Sequence, residues 1–515
     1  MNGAESLVKT FLANDVTVCF ANPGTSEMHF VAALDSHPEM RCVLCLFEGG
    51  TSGAADGYFR MSGKVAATML HLAPGFGNAF ANLHNARKAG SGIVNVMGDH
   101  ATYHLKYESP LRGNTSGVSH AVSHWTRTSE DAGAVAGDGA AAIRVARSRG
   151  GQIATLILPA DTAWMEGTEP QIAAPPPALH PSDPEKIEAA ARALRRPGAA
   201  LMIGGAAGHG SLQELAGSIA RATGARLMAP LQIPRLRRGA GAPRMESLGY
   251  PIEVNLTKLA EVTELVLCGA NAPVSFFAYP GKPGTPIPPD CRVHELCAPD
   301  MDIEGTLHAL ADAVGADAET GTERITLDLP DLPSGPLSLE TVADALAVML
   351  PKDAIVVNES VTSTAPLLQA TARARGHDLL VTTGGAIGQC LPAAAGAAIA
   401  CPDRPVFALS GDGSAMYTLQ SLWTMARERL DVTVLVFANR GYQILRGELA
   451  NLGIAQVGRN ATRMFDVEDP KLDWCALAKG HGVASARADT SEQFIEALKD
   501  AAQTPGPYLI EVVLP

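Results

Sequence analysis

The chain has 515 residues, 46 % of them hydrophobic and 18 % charged, with a formal net charge of −13. At about 150 residues per domain this length predicts three domains with sizeable cores. The acidic balance argues against nucleic acid or an anionic membrane surface as a partner.

In chain order, GAESLVKTFLAND reads as an amphipathic helix and VTVCFANPG as a strand ending in a glycine turn. The charges at Glu5, Lys9 and Asp15 make Met1–Phe20 unlike a signal peptide, and no apolar run is long enough to span a bilayer. MRCVLCLF is expected as a buried strand, followed by Glu48 and the small-residue helix GGTSGAADGYFRMSG. Cys42 and Cys45 have C-x-x-C spacing, but in this run they read as core cysteines rather than as a zinc or redox pair. The nine cysteines offer no metal-ligand set and suit a reducing, cytoplasmic setting. VAATMLHL, a helix over NAFANLHNARKAG, IVNVMG and QIATLILPAD complete a first domain over residues 1–168. Alternating strands and helices imply a parallel sheet covered on both faces. A proline-rich linker containing APPPALHP leads to a second α/β domain over 185–326, in which the turn around Gly208-His209-Gly210 reads as packing rather than dinucleotide binding. A second linker, Leu327 to Pro336, opens a third domain over 337–515. It repeats the style of the first, with the strand AIVVNES, the segment LLVTTGG and the small-residue helix IGQCLPAAAGAAIA. The expected fold is therefore α/β, with three doubly wound parallel-sheet domains.

The most informative stretch is FALSGDGSAMYTLQSLWTMARERLDVTVLVFANRG, Phe407 to Gly441. It reads as strand, Gly-rich turn, helix over about Thr418 to Arg429, strand and Asn-containing turn. This unit puts Asp412 and Asn439 at the carboxyl ends of two parallel strands, the edge where open α/β sheets bind ligands. Asp412, Asn439 and the carbonyl of Gly441 are hard oxygen donors, the kind that Mg²⁺ takes together with substrate phosphates. Gly411, Gly413 and Ser414 lie where backbone N–H groups and a hydroxyl can meet a diphosphate.

A G-D-G-S turn followed by that asparagine resembles the motif of the thiamine diphosphate enzymes. F-E-G-G-T-S-G-A-A-D-G-Y, beginning at Phe47, resembles their catalytic-glutamate segment. The resemblance covers the whole chain, in the order pyrimidine-binding, middle and diphosphate-binding domain, and is strongest toward benzoylformate decarboxylase and acetolactate synthase-like proteins. It implies that Glu48 shares a proton with the cofactor's aminopyrimidine, a task that suits a carboxyl group in an apolar pocket. It also implies that Thr25, in Asn22-Pro23-Gly24-Thr25-Ser26-Glu27, and His71, in LHLAPGFGN, orient the substrate carboxylate. Asn358-Glu359-Ser360 and Thr362 match a diphosphate loop, and Gly385 offers a carbonyl to the 4′-amino group. The resemblance further implies that Ile387 wedges the cofactor into its bent form and that Tyr442 lies beside it. In this class the site combines the first domain of one subunit with the third domain of its partner, so a homodimer is the minimum and a homotetramer the usual state.

The implied reaction is non-oxidative decarboxylation of a 2-keto acid through an enamine, releasing an aldehyde or ligating it to an acceptor. An acetolactate synthase-like carboligase, a C–C lyase and a catalytically silent cofactor-binding paralogue are the alternatives. The chain departs from the decarboxylase at Asn271-Ala272-Pro273-Val274, which is followed by SFFAYPG with no histidine. His100 and His104 are candidates to replace that histidine, and Asp99 is a candidate polar contact near the cofactor. Gln389 stands where relatives usually carry an aromatic residue, and Glu448 is expected near the mouth of the site, with Arg446 or Lys88 to offset its charge. Nothing in the sequence demands the FAD that some relatives hold in the middle domain.

Overall fold

The computed structural model describes residues 1–317, 320–454 and 456–515. It contains three sheets. The first is built from β1 (Val18–Ala21), β2 (Arg41–Leu44), β3 (Ala66–Leu70), β4 (Ile93–Asp99), β5 (Trp125–Thr128) and β6 (Ile153–Pro159). Its order is β2-β1-β3-β4-β6-β5, with every neighbouring pair parallel. The second contains β7 (Ala199–Ile203), β8 (Arg226–Ala229), β10 (Glu246–Ser247), β11 (Glu264–Cys268) and β12 (Arg292–Cys297), in the parallel order β10-β8-β7-β11-β12. The strand between them in sequence, β9 (Arg235–Arg238), leaves this sheet for the third.

The third sheet comprises β13 (Ile355–Glu359), β14 (His377–Val381), β15 (Val406–Gly411), β16 (Val432–Ala438), β17 (Ala484–Ala488) and β18 (Tyr508–Val513), in the order β17-β18-β16-β15-β13-β14-β9. All its pairs are parallel except β14–β9. The α/β class with parallel sheets is as expected, and the antiparallel edge is an addition to it. The sequence of β9 is RLRR. Leu236 turns into the core, while Arg235 pairs with Asp378 at 3.0 Å and Arg237 with Asp353 at 2.6 Å. Arg404 reaches the same Asp378 at 2.6 Å. Burial alone would raise the Asp378 pKa, but Arg235 and Arg404 prevail and lower it. Charges of this kind also blunt a sheet edge against further pairing.

Two sequence expectations need correction. MRCVLCLF is an edge strand, not a buried one: Arg41 and Cys42 are exposed, and of the C-x-x-C pair only Cys45 is in the core. The helix expected from Thr418 begins at Ser421, after a separate turn of helix over Asp412–Ala415. No helix among the described residues is long and apolar enough to cross a membrane.

Period-2 alternation divides central strands between two apolar clusters. In β1, Val18 and Phe20 face one side while Cys19 and Ala21 face the other; in β15, Val406 and Ala408 separate from Phe407 and Leu409 in the same way. One cluster is shared by the first and third sheets. It is bridged by the two small-residue helices, Glu48–Ser62 and Cys390–Ala400. Their backbones meet directly: a Cβ on Gly396 would lie 1.9 Å from the Ala54 carbonyl oxygen, and one on Gly57 would lie 2.0 Å from that of Ala393. Alanine is the better helix former by about 1 kcal/mol. Gly396→Ala is nevertheless expected to destabilise the protein, because overpacking costs about 1–3 kcal/mol or more. Urea unfolding reads the change, and an unchanged or raised midpoint would show that the helices can part without loss.

Candidate active site

The carboxyl ends of β13, β14, β15 and β16 converge on one cavity. In the order β16-β15-β13-β14 the chain leaves β13 toward β14 and leaves the adjacent β15 in the opposite direction, toward β16, which opens a crevice between β13 and β15. The cavity is lined by Thr362, Ile387, Gly411, Asp412, Gly413, Ser414, Asn439, Gly441 and Tyr442, among others. Of the residues expected to hold cofactor or metal, Gly385, Asn358, Glu359 and Asp99 are not among its lining. All described lining residues fall between Ser360 and Ile444, so the first sheet contributes none.

Asp412 is buried and makes no ion pair among the described residues. Its Oδ1 accepts from the Gly413 N–H at 2.8 Å and its Oδ2 from the Arg440 N–H at 2.7 Å. Burial raises its pKa, against the pull of those N–H groups. The Asn439 amide oxygen accepts from the Gly441 N–H at 3.2 Å. Each oxygen keeps lone-pair capacity for a further partner. Tyr442 lies against the glycine turn, where a Cβ on Gly413 would stand 2.5 Å from its ring.

Three of the seven left-handed non-glycine residues among the described residues adjoin candidate site residues. Val361, Arg440 and Leu72 have φ of 47°, 57° and 49°. They adjoin Thr362, the pair Asn439 and Gly441, and His71, respectively. A left-handed β-branched valine is a true outlier, and strain of this kind persists where the surroundings impose it, characteristically at functional sites.

Ile387 and Gly385 belong to the loop between β14 and the helix Cys390–Ala400. Glu359, which the sequence reading quoted without a role of its own, anchors the end of this loop. Its Oε1 accepts from Gly388 N at 2.6 Å and Gln389 N at 3.2 Å, and its Oε2 from Cys390 N at 3.2 Å. Complete burial raises its pKa to about 7, although the three N–H groups draw it down. A carboxyl group whose folded pKa lies above its unfolded value binds more protons when folded between the two. Its contribution to stability therefore falls as pH rises from about 4.5 to about 7. The urea midpoint is expected to drop across this window by less in Glu359→Gln than in the wild type; identical pH profiles would remove Glu359 as the source.

At the carboxyl edge of the first sheet, Glu48 follows β2 and starts its helix. It is 5 % exposed, and its Oε2 accepts from the Asn78 amide at 2.9 Å. A Cβ on Gly75 would stand 2.8 Å from its Oε1, so this glycine keeps room beside the carboxylate. His71 follows β3 and caps the helix Leu72–Ala89, which starts earlier than expected and holds Pro74 in its first turn. The His71 Nδ1 lies 2.9 Å from Oε2 of the buried Glu27. That oxygen also accepts from Gly24 N at 3.0 Å, while the Ser26 hydroxyl donates to Oε1. Side chains on Gly24 or Gly98 would collide with this pair, since the added Cβ atoms would lie 2.0 Å from His71 Nδ1 and 1.8 Å from Glu27 Oε1. Thr25 is exposed in the same turn, and Ser26 is the hydroxyl that the structure places 3.4 Å from His71. Glu27 was not singled out in the sequence. Its only local signal is a carboxylate three residues after Gly24, the spacing of a helix-start cap.

The remaining candidates lie elsewhere. Asp99 uses its oxygens on the His100 N–H and the Thr115 hydroxyl, both at 2.7 Å. His100 bonds Ser109 at 3.0 Å and stacks near His104. In the segment without the histidine, Phe276 packs on Gly385 and lies 5.1 Å from the Tyr250 ring. Glu448 is taken by the hydroxyls of Tyr250 and Tyr279, at 2.9 and 2.5 Å, rather than by Arg446 or Lys88.

The residues present fit a diphosphate with a divalent cation. The fit rests on a buried carboxylate without an ion-pair partner among the described residues, beside an amide oxygen, a glycine carbonyl that accepts only from Gln443 N at 3.0 Å among those residues, and a short glycine-rich helix start. The chain belongs to the thiamine pyrophosphate enzymes. Their N-terminal binding domain matches residues 1–124 and their C-terminal binding domain matches residues 362–512. Within that family it is a thiamine diphosphate-dependent enzyme of the decarboxylase and acetolactate synthase type. It is 49 % identical over 520 residues to a Mycobacterium tuberculosis protein provisionally named acetolactate synthase large subunit IlvX, covering 100 % of this chain and 99 % of that one. Identity to benzoylformate decarboxylase of Pseudomonas aeruginosa is 28 % over 539 residues, 96 % of each chain. The solved thiamine diphosphate-dependent 4-hydroxybenzoylformate decarboxylase of Rhodococcus jostii superposes with a TM-score of 0.86 at 24 % identity, over 100 % of this chain and 99 % of that chain, a likeness of fold.

Proposed function

We propose that the protein is a Mg²⁺- and thiamine diphosphate-dependent enzyme that removes CO₂ from a 2-keto acid and releases the aldehyde or joins it to an acceptor. The observation that carries this reading is the single cavity where Asp412, Asn439 and Gly441 adjoin the Gly411–Ser414 turn. In this reading those three oxygens hold the cation, and Gly411, Gly413, Ser414 and Thr362 hold the diphosphate. Gly385, Ile387 and Tyr442 set the position of the rings. Bound there, the cofactor supplies an electron sink for cleaving the bond between a carbonyl carbon and its carboxylate.

Glu48 holds the proton that activation requires, with Asn78 fixing its carboxylate. Glu27 is an acceptor and takes the Nδ1–H of His71, which leaves Nε2 as the ring nitrogen available to substrate. His71 and the hydroxyls of Thr25 and Ser26 then orient the substrate carboxylate. Glu48 and His71 do not line the cavity of their own chain, which supports a site shared between two copies, hence a homodimer at least and a homotetramer by family resemblance.

A second reading, carboligation of the acetolactate synthase type, is favoured by the name of the mycobacterial relative and by Phe276 standing in the histidine-free segment. CO₂ release from a panel running from pyruvate to benzoylformate, with Mg²⁺ and thiamine diphosphate, separates the two. Free aldehyde supports the decarboxylase; CO₂ release without free aldehyde, the product being a hydroxyketone from an acceptor aldehyde or a hydroxy-keto acid from a second 2-keto acid, supports the carboligase. No release from any 2-keto acid would overturn both.

A further inference from the structure

The segment Gly384–Gln389 has no regular hydrogen-bond ladder, and Gly385 and Gly388 take φ of 77° and 94°. Such a stretch holds one conformation only if groups outside it bind its backbone. Among the described residues those groups come largely from the helix Leu72–Ala89 of the same chain. Asn85 is fully buried and binds Ala386 twice: its amide nitrogen donates to the carbonyl at 2.8 Å, and its amide oxygen accepts from the N–H at 3.2 Å. His84 Nε2 lies 3.2 Å from the Gly384 carbonyl. The neighbouring Asn82 donates to the Gly388 carbonyl at 3.2 Å, which also accepts from the Thr418 hydroxyl at 2.8 Å.

We propose that Asn85 is a positioning residue for the cofactor: by gripping both backbone groups of Ala386 it fixes the Gly385 carbonyl on one side and the Ile387 side chain on the other. This rests on the reading of the cavity given above.

The amide orientations are forced. Asn82 faces two carbonyls, Gly388 and, at 2.8 Å, Gly49, so its nitrogen must point toward them. Its oxygen is then left to accept from the Asn85 nitrogen at 3.2 Å, which turns the Asn85 oxygen toward the Ala386 N–H. Space is equally constrained, because a Cβ on Gly384 would lie 2.5 Å from the Asn85 oxygen. An isosteric aspartate would set an acceptor against the Ala386 carbonyl and the Asn82 oxygen, and would lose the grip without changing the shape.

The test compares two ligands of different reach. Thiamine diphosphate and inorganic pyrophosphate are titrated calorimetrically, with Mg²⁺, into the wild type, Asn85→Asp and Asn85→Ala. The expected result is an affinity for thiamine diphosphate lower by about tenfold or more, the size of one or two lost hydrogen bonds, with pyrophosphate affinity unchanged because the Gly411–Ser414 turn is untouched. Equal weakening for both ligands would make Asn85 a general structural residue, and unchanged thiamine diphosphate affinity would remove it from any role; either overturns the proposal. Failure of the wild type itself to bind thiamine diphosphate would instead overturn the reading of the cavity. If both variants fail to fold, Asn82→Ala, which removes the oxygen that accepts from the Asn85 nitrogen and orients that amide, carries the same comparison.

Discussion

Glu48→Gln is expected to keep thiamine diphosphate bound and to lose turnover by about two to four orders of magnitude, the usual worth of a positioned acid–base group. The substitution preserves size and leaves an amide within reach of Asn78, which donates to the native carboxylate at 2.9 Å. The surroundings are small and fixed: Glu48 is buried at the first position of its helix, and Gly75 stands against its second oxygen. What disappears is an oxygen able to take and return a proton. Two measurements separate this from a structural effect. Cofactor content should match the wild type, while exchange of the cofactor's acidic carbon-bound proton into deuterated water, followed by quenched-flow NMR, should slow in step with kcat. Wild-type exchange with lowered kcat would move Glu48 to a later step, and wild-type turnover would remove it from catalysis.

Asp412→Ala should act on binding rather than on turnover of bound enzyme. The native carboxylate is buried without an ion pair among the described residues, so its charge is costly until a cation arrives. Removing it takes away the one anionic donor of the set. Mg²⁺-dependent affinity for thiamine diphosphate is expected to fall by about a hundredfold or more, beyond what losing an outer partner of a metal ligand costs. Equilibrium dialysis with metal analysis reads both components, and normal cofactor and Mg²⁺ content would overturn the assignment. The two variants also test the shared site together. A mixed dimer of Glu48→Gln and Asp412→Ala chains contains one site with both native residues, if these act from different chains. Activity regained on mixing two inactive proteins is the expected outcome, and none regained would place both residues in one chain's site.

The parts of the fold and site legible in the sequence were those written in short contiguous patterns. The strand–turn–helix–strand unit around Asp412 and Asn439 carries its geometry locally, as does the run of small residues after Glu48. Partnerships between distant segments left weaker traces. RLRR shows no sign of being a strand, because what makes β9 one is the pair of aspartates, Asp353 and Asp378, more than a hundred residues away. CVLCLF is apolar enough to suggest burial, yet an edge position leaves Arg41 and Cys42 in solvent. Glu27 and Glu359 were quoted only as letters of motifs. Their importance lies in what they hold, His71 in one case and three successive N–H groups in the other, and neither partner is close in sequence. Glu448 was expected to have its charge offset by Arg446 or Lys88, but two tyrosines from another sheet's loops bind it.

The departure of β9 from the middle sheet bears on how this protein can be rebuilt. A chimaera that takes residues 185–326 whole from a relative would also replace the outermost strand of the cofactor-binding sheet, and with it Arg235, Arg237 and Arg238. A graft that retains the native β9 and replaces only what flanks it would keep Asp353 and Asp378 with their partners. The unit of exchange in this chain is thus interrupted in sequence, and cut points chosen from the proline-rich linkers alone would divide a sheet.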